Sequence, residues 1–250
     1  MSARGIPRGL IQALRYSGRI AVLTGSGISA ESGVPTFREA QTGLWARYDP
    51  QQLATPEAFE RDPRLVSEWY GWRRTLVSEA EPNPGHRALA ELEGRVPDFT
   101  LVTQNVDGLH GRAGSENVIE LHGNILRSRC SREGVSVEPE ERGAVLGACP
   151  NCGAPLRPDV VWFGEMLPAG AFEAALGAAR ECEVFLSVGT SSLVYPAAAL
   201  PYEALESGAT LVEVNPGETP LTRDADYVLR GRAGEVLPEL VREAFPPTSR

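Results

Sequence analysis

The first stretch able to bind a ligand is GSGISA, residues 25–30, which follows the apolar segment 20–23. Its spacing, G-x-G-x-x-A after a predicted strand, allows a tight turn, close approach of the backbone to a pyrophosphate and amide groups aimed at the anion. The pattern favours a dinucleotide site, and a purely structural turn is the alternative interpretation.

A second polar cluster follows the apolar run 99–103 and contains Gln104, Asn105 and Asp107. Sites of α/β proteins lie at the carboxyl ends of parallel strands, so this cluster is a candidate site. A dehydrogenase would place a ribose-binding acidic residue at the end of this strand, and its absence counts against hydride transfer. A Rossmann-type oxidoreductase is still a competing function, and Asp107 as the cap of the next helix is the structural alternative.

His122, in IELHGN, is one of three histidines. A histidine at this place is a candidate general base, with a structural role as the alternative. His86 and His110 are assigned to helix termini. Cys130, Cys149 and Cys152 are better explained as metal ligands than as disulfide partners in a chain without an export signal.

Composition excludes several functional classes. The chain has 250 residues, with 33 acidic against 24 basic side chains and a net charge of -9. Nucleic-acid binding needs clustered positive charge, so we expect no such partner. The N-terminus lacks the apolar region of a signal peptide, and no segment has the ~18 apolar residues that span a membrane. We expect a cytoplasmic protein that acts as a monomer.

Alternation of apolar runs and helical patterns predicts the fold. Strands are expected at 20–23, 99–105, 160–165, 183–191 and 210–216, with helices at 171–180, 196–207 and 234–245. The pattern predicts an α/β, doubly wound, Rossmann-like parallel sheet. The second strand of a simple βαβ unit follows within ~30 residues, and its delay here indicates a helical insertion.

The same pattern divides the chain into three parts. Segments 1–39, 96–127 and 158–250 form the predicted Rossmann-like domain, 40–95 the helical insertion, and 128–157 a small cysteine-containing module.

Six motifs occur in one order: GSGISAESGVPTFR, TQNVDGLHGRAG, ELHG, PDVVWFGE, VGTSSLVYPAA and VNPGET. In the presence and order of these motifs the chain resembles the sirtuins, which are NAD-dependent protein-lysine deacylases. The resemblance extends over about residues 15–242 and is strongest to the branch that contains bacterial and mitochondrial desuccinylases. Ser26 and Glu39 depart from the usual family sequence, which has alanine and glycine there.

The resemblance implies that NAD is a co-substrate. Ser29, Asn105 and Asp107 would hold its nicotinamide end, His122 would act as base on the ribose hydroxyls, Phe37 would cover the ribose, and Arg38 would support the loop. The full set of residues implied to contact NAD is Gly25, Ser26, Gly27, Ser29, Glu31, Phe37, Arg38, Gln104, Asn105, Asp107, Gly189, Thr190, Ser191, Asn215 and Ala233.

The implied products are free lysine, nicotinamide and 2'-O-acyl-ADP-ribose. Mono-ADP-ribosyl transfer shares the cofactor step and is an alternative function. A non-catalytic module that binds acyl-lysine or NAD is a further alternative.

The resemblance also implies which acyl group is removed. Tyr70 and Arg73 share one helix face, and a phenol with a guanidinium can bind a carboxylate such as that of succinyl- or malonyl-lysine. Ala54 would leave room for the longer chain. Plain deacetylation is the alternative. An extended acyl-lysine peptide would lie between two edges formed by Val161, Phe163, Gly164 and Glu165 and by Val194 and Tyr195.

Sirtuins usually carry a structural zinc on two Cys-x-x-Cys pairs. Here Cys149 and Cys152 form the second pair. In the first pair only Cys130 is a cysteine, and Glu133 stands where the second cysteine is expected. A zinc site of three cysteines and the glutamate, a site of three cysteines and a water, and a metal-free module all stay open. Cys182 is assigned to a buried structural thiol.

Overall fold

Two sheets organise the molecule, whose computed structural model describes residues 5–35, 49–137 and 147–246. The strands are β1 (Arg19–Thr24), β2 (Asp98–Thr103), β3 (Val118–Glu120), β4 (Gly123–Cys130), β5 (Ser136–Val137), β6 (Leu156–Val160), β7 (Val184–Val188), β8 (Thr210–Asn215) and β9 (Tyr227–Arg230). Strands β3, β2, β1, β7, β8 and β9 form, in that order, a parallel sheet. The predicted doubly wound fold is confirmed, and the strand order reverses between β1 and β7.

Helices cover both faces of this sheet. They are α1 (Arg8–Tyr16), α2 (Ser26–Ser29), α3 (Pro50–Leu53), α4 (Pro56–Arg61), α5 (Pro63–Glu79), α6 (Pro84–Glu93), α7 (Leu109–Arg112), α8 (Ala169–Glu181), α9 (Leu200–Glu206) and α10 (Ala233–Ala244). Because side chains alternate along a strand, Ile20 and Val22 pack with α1, α6 and α10, whereas Ala21 and Leu23 pack with α8 and α9. None of the helices in the described ranges is long and apolar enough to cross a membrane.

The prediction of a sheet strand at 160–165 is wrong. Only Val160 belongs to a strand, β6, and β6 pairs antiparallel with β4 in a separate sheet of order β5-β4-β6. The apolar run continues instead into a third buried cluster, where Trp162 packs with Trp69 and Tyr70 of α5. A short apolar run fits burial against helices as well as burial in a sheet, so the sequence pattern could not separate the two.

The other predicted strands and helices are confirmed with shifted ends. β3 and β9 were missed because they have three and four residues and are largely half-buried, which leaves no continuous apolar run. The division of the chain at 40–95 and 128–157 stays a prediction.

The glycines of the first motif bring two loops into backbone contact. The Gly27 amide donates to the Gly189 carbonyl at 2.8 Å, and the Gly25 amide donates to the Val188 carbonyl at 3.0 Å. A Cβ atom on Gly27 would lie 2.7 Å from the Gly189 oxygen. Glycine at Gly27 is therefore required for the loop after β1 to pack on the loop after β7.

Candidate functional site

Four loops meet at the carboxyl edge of the parallel sheet. Thr190, after β7, is the residue that joins them. Its hydroxyl accepts a hydrogen bond from the Gln104 amide at 3.3 Å, and its carbonyl accepts one from the Asn215 amide at 2.8 Å. The Gln104 backbone amide donates to the Thr24 carbonyl at 3.0 Å. The loops after β1, β2, β7 and β8, which carry most of the predicted NAD residues, therefore lie together.

A buried polar cluster lies beneath this edge. The Ser29 hydroxyl donates to the Asp107 carboxylate at 2.7 Å, and the Asn105 side-chain amide donates to the Ser29 oxygen at 3.1 Å and to the Gly25 carbonyl at 3.0 Å. The side chains predicted to hold nicotinamide are thus in direct contact, although nothing in the sequence spacing specified hydrogen bonds between them.

His86 completes this cluster and was missed as a site residue. Its Nδ1 accepts the Asn83 backbone N–H at 3.3 Å in the capping box of α6, so the ring hydrogen lies on Nε2, 3.3 Å from the Ser29 oxygen. Burial, with a smaller contribution from Arg87, lowers the pKa of His86 to about 4, so the ring is neutral at pH 7. The sequence did place His86 at a helix terminus, and no local signal showed its second contact.

Asp107 contacts both the polar cluster and the first residue of α7. One carboxylate oxygen accepts the Leu109 backbone N–H at 2.9 Å at the start of α7, and the other accepts the Ser29 hydroxyl. Burial raises the pKa of Asp107, while the bonds from Leu109 and Ser29 oppose the shift. The contact with the Leu109 amide therefore holds the Asp107 carboxylate in place within the polar cluster.

His122 is positioned to accept a proton. Its Nδ1 lies 2.8 Å from the Gln104 carbonyl oxygen, and because a carbonyl only accepts, Nδ1 carries the ring hydrogen. Nε2 therefore has the lone pair, and no hydrogen bond to it is present among the described residues. Burial lowers the pKa of His122 despite the bond to Gln104, so the half-buried ring is neutral at pH 7.

Glu31, one of the predicted NAD residues, contacts the start of α10, whose first residue, Ala233, is another. The Gly234 backbone amide donates to the Glu31 carboxylate at 2.7 Å, next to the buried Ala233. A carboxylate at a helix N-terminus is favoured by the helix dipole, so Glu31 links the loop after β1 to α10. Ser26 and Ser191 are exposed at the same edge. Phe37 and Arg38 lie outside the described residues.

The three predicted acyl-pocket residues lie around the third buried cluster. Ala54 and Tyr70 are buried, and Arg73 is half-buried with its guanidinium carbon 4.9 Å from the centre of the Trp69 ring. Burial raises the pKa of Tyr70 to about 12, so its hydroxyl stays protonated. Burial lowers the pKa of Arg73, and the neighbouring Tyr70 and Asp107 oppose that shift.

The segment after β6 connects His122 to Ala54, one of the predicted acyl-pocket residues. The Val161 amide donates to the His122 carbonyl at 2.9 Å, and the Phe163 amide donates to the Ala54 carbonyl at 2.9 Å. Phe163 and Gly164 are exposed, and Glu165 is half-buried. On the loop after β7, Val194 and Tyr195 are exposed as well. Both predicted peptide edges are therefore accessible to an extended ligand.

The cysteine cluster fits a structural zinc ion. One potential ligand atom from each of Cys130, Glu133, Cys149 and Cys152 lies within 4.8 Å of the others. The Cys130 and Cys152 sulfurs are 3.5 Å apart, and the Cys149 sulfur is 3.6 Å from a Glu133 oxygen. Three thiolates and a carboxylate are tetrahedral zinc ligands. Cys130 ends β4, roughly 25 Å along the strand from His122, so the ion would be structural.

Comparisons with known proteins agree on one family. The sequence model of the Sir2 family matches residues 25–196. NAD-dependent protein deacylase 1 of Pseudomonas aeruginosa is 53% identical over 248 residues, which cover 96% of this chain and 99% of that protein. A Sir2 homologue solved with NAD is similar at 48% identity and a TM-score of 0.90, with 96% of this chain and 94% of that chain covered. A mutant Sir2 homologue solved with 2'-O-acetyl ADP ribose has 48% identity and a TM-score of 0.89, with 96% of each chain covered.

The three histidines give a direct test of the protonation states. We expect the His122 ring to titrate below its ordinary pKa of 6.5, while His86 and His110 stay neutral down to about 4 and about 3 because of burial. NMR titration of the imidazole signals measures this, with His122→Asn identifying the His122 signal. A His122 pKa at or above 6.5 would contradict the assignment of a neutral base.

Zinc binding is tested by comparing two buried cysteines. Cys149→Ser removes a proposed ligand, so we expect loss of bound zinc and a lower melting temperature. Cys182→Ser is the control, because Cys182 packs between α8 and the parallel sheet, away from the cluster. Zinc content by mass spectrometry of the purified chain and thermal unfolding measure both effects. Equal zinc content in the two variants would exclude the site.

Proposed function

This chain belongs to the Sir2 family and is an NAD-dependent protein deacylase, and from that premise we propose that it removes succinyl and malonyl groups from lysine in preference to acetyl groups. The observation that carries the proposal is the pair formed by Tyr70 and Arg73 on α5. One is a buried phenol that stays protonated, and the other is a half-buried guanidinium beside it.

Charge supports the choice of an acid-tailed acyl group. A guanidinium stays cationic in proteins and presents paired N–H groups that match a carboxylate. On a chain of net charge -9, an anionic acyl group needs such a local cation. Desolvation strengthens the attraction, because the Arg73 guanidinium lies against the Trp69 ring instead of projecting into water.

Space supports the same choice. Ala54 is buried, and its carbonyl is fixed by the Phe163 amide at 2.9 Å, so the backbone at this position is held in place. Alanine has the smallest side chain that carries a Cβ atom, and we infer that Ala54 leaves room for a longer acyl chain directed towards Tyr70 and Arg73.

The polar cluster supplies the groups needed for the reaction. We assign Asn105, Asp107 and Ser29 to the carboxamide of nicotinamide, whose N–H and C=O groups match a carboxylate and an amide. His122 Nε2 accepts a proton from a ribose hydroxyl, and the Gln104 carbonyl holds the ring in the tautomer this requires.

In the net reaction, acyl-lysine, NAD and water give lysine, nicotinamide and 2'-O-acyl-ADP-ribose. The bond between the acyl carbon and the lysine nitrogen breaks, and the acyl carbon bonds to the ribose 2'-oxygen. The bond between the ribose C1' carbon and nicotinamide also breaks, and C1' gains a hydroxyl group, so that one oxygen and one hydrogen of the water enter the ADP-ribose product. The proton of the 2'-hydroxyl and the second proton of water go to the released lysine, which leaves as an ammonium group. The Sir2 homologue solved with 2'-O-acetyl ADP ribose supports this product class. The expected monomeric state and the absence of a nucleic-acid partner stay predictions.

Arg73→Met tests the acyl preference. It removes the cation while keeping an unbranched apolar side chain, so we expect the kcat/KM for a succinyl-lysine peptide to fall about 100-fold, as loss of a charge-assisted carboxylate contact would produce. The kcat/KM for an acetyl-lysine peptide of the same sequence should stay unchanged.

Arg64→Met on the same helix is the matched control. Arg64 is largely exposed and pairs with Glu68, so its loss removes one charge without altering the pocket. Turnover of matched succinyl, malonyl and acetyl peptides is read by mass spectrometry. Equal losses of desuccinylation and deacetylation in Arg73→Met would refute the role of Arg73.

A further inference from the structure

The Tyr70 hydroxyl has a fixed partner on one side. Trp162 Nε1 lies 2.9 Å from the Tyr70 oxygen, and an indole nitrogen can only donate. The Tyr70 oxygen is therefore the acceptor in this bond. Both side chains are nearly inaccessible to solvent, at 1% exposure for Tyr70 and 2% for Trp162, so water does not replace this contact at low cost.

The hydroxyl hydrogen of Tyr70 is not used in the bond with Trp162. Among the residues that the structure describes, none accepts this hydrogen, and Trp162 cannot because it has no acceptor nitrogen. A hydroxyl whose oxygen already accepts a hydrogen bond is also a stronger donor, because hydrogen bonds in a chain polarise one another. The hydroxyl is thus prepared to donate to an anion next to Arg73.

Trp162 is itself held by an ion pair. Arg157 and Glu165 make two hydrogen bonds of 2.7 Å each, and the Arg157 guanidinium carbon lies 3.7 Å from the centre of the Trp162 ring. The Glu165 carboxylate also accepts the Trp162 backbone amide at 2.8 Å. Burial is the largest single influence on the pKa of Glu165 and would raise it, but the hydrogen bonds from Arg157 and the Trp162 amide and the charges of Arg157 and Arg129 together outweigh burial, so the pKa is lowered. The indole plane and its N–H direction are therefore fixed before any ligand binds.

We propose that Trp162 is a specificity-determining positioning residue, which holds the Tyr70 hydroxyl as a donor to the carboxylate of an acid-tailed acyl group. This inference rests on the proposed preference for succinyl and malonyl groups and adds a residue to it. Trp162 acts through Tyr70 and does not itself contact the acyl carboxylate. Acetyl-lysine has no carboxylate, so its turnover does not depend on the Trp162 N–H.

Trp162→Phe is the first test. It keeps an aromatic ring under Arg157 and removes the N–H donor. We expect KM for a succinyl-lysine peptide to rise about tenfold, as for one lost hydrogen bond to a charged group, with kcat nearly unchanged. Both constants for the matched acetyl-lysine peptide should stay as in the unmodified protein.

A double-mutant cycle separates positioning from packing. In a Tyr70→Phe background the hydroxyl is absent, so adding Trp162→Phe should change succinyl turnover no further. Replacing Trp162 with 3-benzothienylalanine, which has sulfur in place of the indole N–H, removes the donor while preserving shape. It should reproduce the succinyl-selective rise in KM even if the phenylalanine variant folds poorly.

The outcomes distinguish this inference from the function on which it rests. Equal losses on both peptides, or additive losses in the Tyr70→Phe background, would show that Trp162 acts only by packing and would overturn the inference alone. A chain that does not desuccinylate, or an Arg73→Met variant that loses both activities equally, would overturn the proposed acyl preference and the inference with it.

Discussion

The contact between Gly27 and Gly189 is the constraint on which the site depends. It joins the loops after β1 and β7, the neighbouring strands at which the order of the sheet reverses, through a 2.8 Å backbone hydrogen bond. A Cβ atom on Gly189 would lie 2.6 Å from the Ile28 amide nitrogen, so the approach is possible only for glycine. With these loops in contact, Thr190 reaches Gln104 and Asn215, and the ends of four parallel strands form one surface.

At that surface, hydrogen bonds determine the tautomer of His122 and the orientation of the polar side chains around Ser29. The Gln104 carbonyl fixes the tautomer of His122, and burial keeps the ring neutral, which are the two properties a general base needs. Beneath it, His86 and Asn105 donate to Ser29, which donates to Asp107, so every hydroxyl and carboxylate of the cluster has a defined orientation. The segment after β6 links His122 to the proposed acyl pocket, because the His122 carbonyl accepts the Val161 amide and the Ala54 carbonyl accepts the Phe163 amide.

The sequence predicted those features of the fold and site that depend on local patterns of residues. Gly25 and Gly27 after an apolar run, and Asn105 and Asp107 after another, were placed correctly at one edge because parallel strands end together. The apolar run after Val160 was assigned to the sheet because continuous hydrophobicity does not distinguish a strand from a segment buried against helices. The contact between His86 and Ser29 joins residues 57 positions apart, so spacing could not indicate it.

Sequence spacing also could not show every contact of the proposed acyl pocket, because some of these contacts join residues far apart in the chain. The helical spacing of Tyr70 and Arg73 predicted a shared face, but the bond from Trp162 to Tyr70 spans 92 positions and depends on the unpredicted course of the chain after β6.

The central claim is that the acyl group passes from lysine to ribose, and product analysis by mass spectrometry with NAD and a succinyl-lysine peptide tests it most directly. We expect equal amounts of nicotinamide, free-lysine peptide and ADP-ribose carrying the succinyl group. Nicotinamide release with the succinyl group still on the peptide, or ADP-ribose attached to protein, would contradict the account.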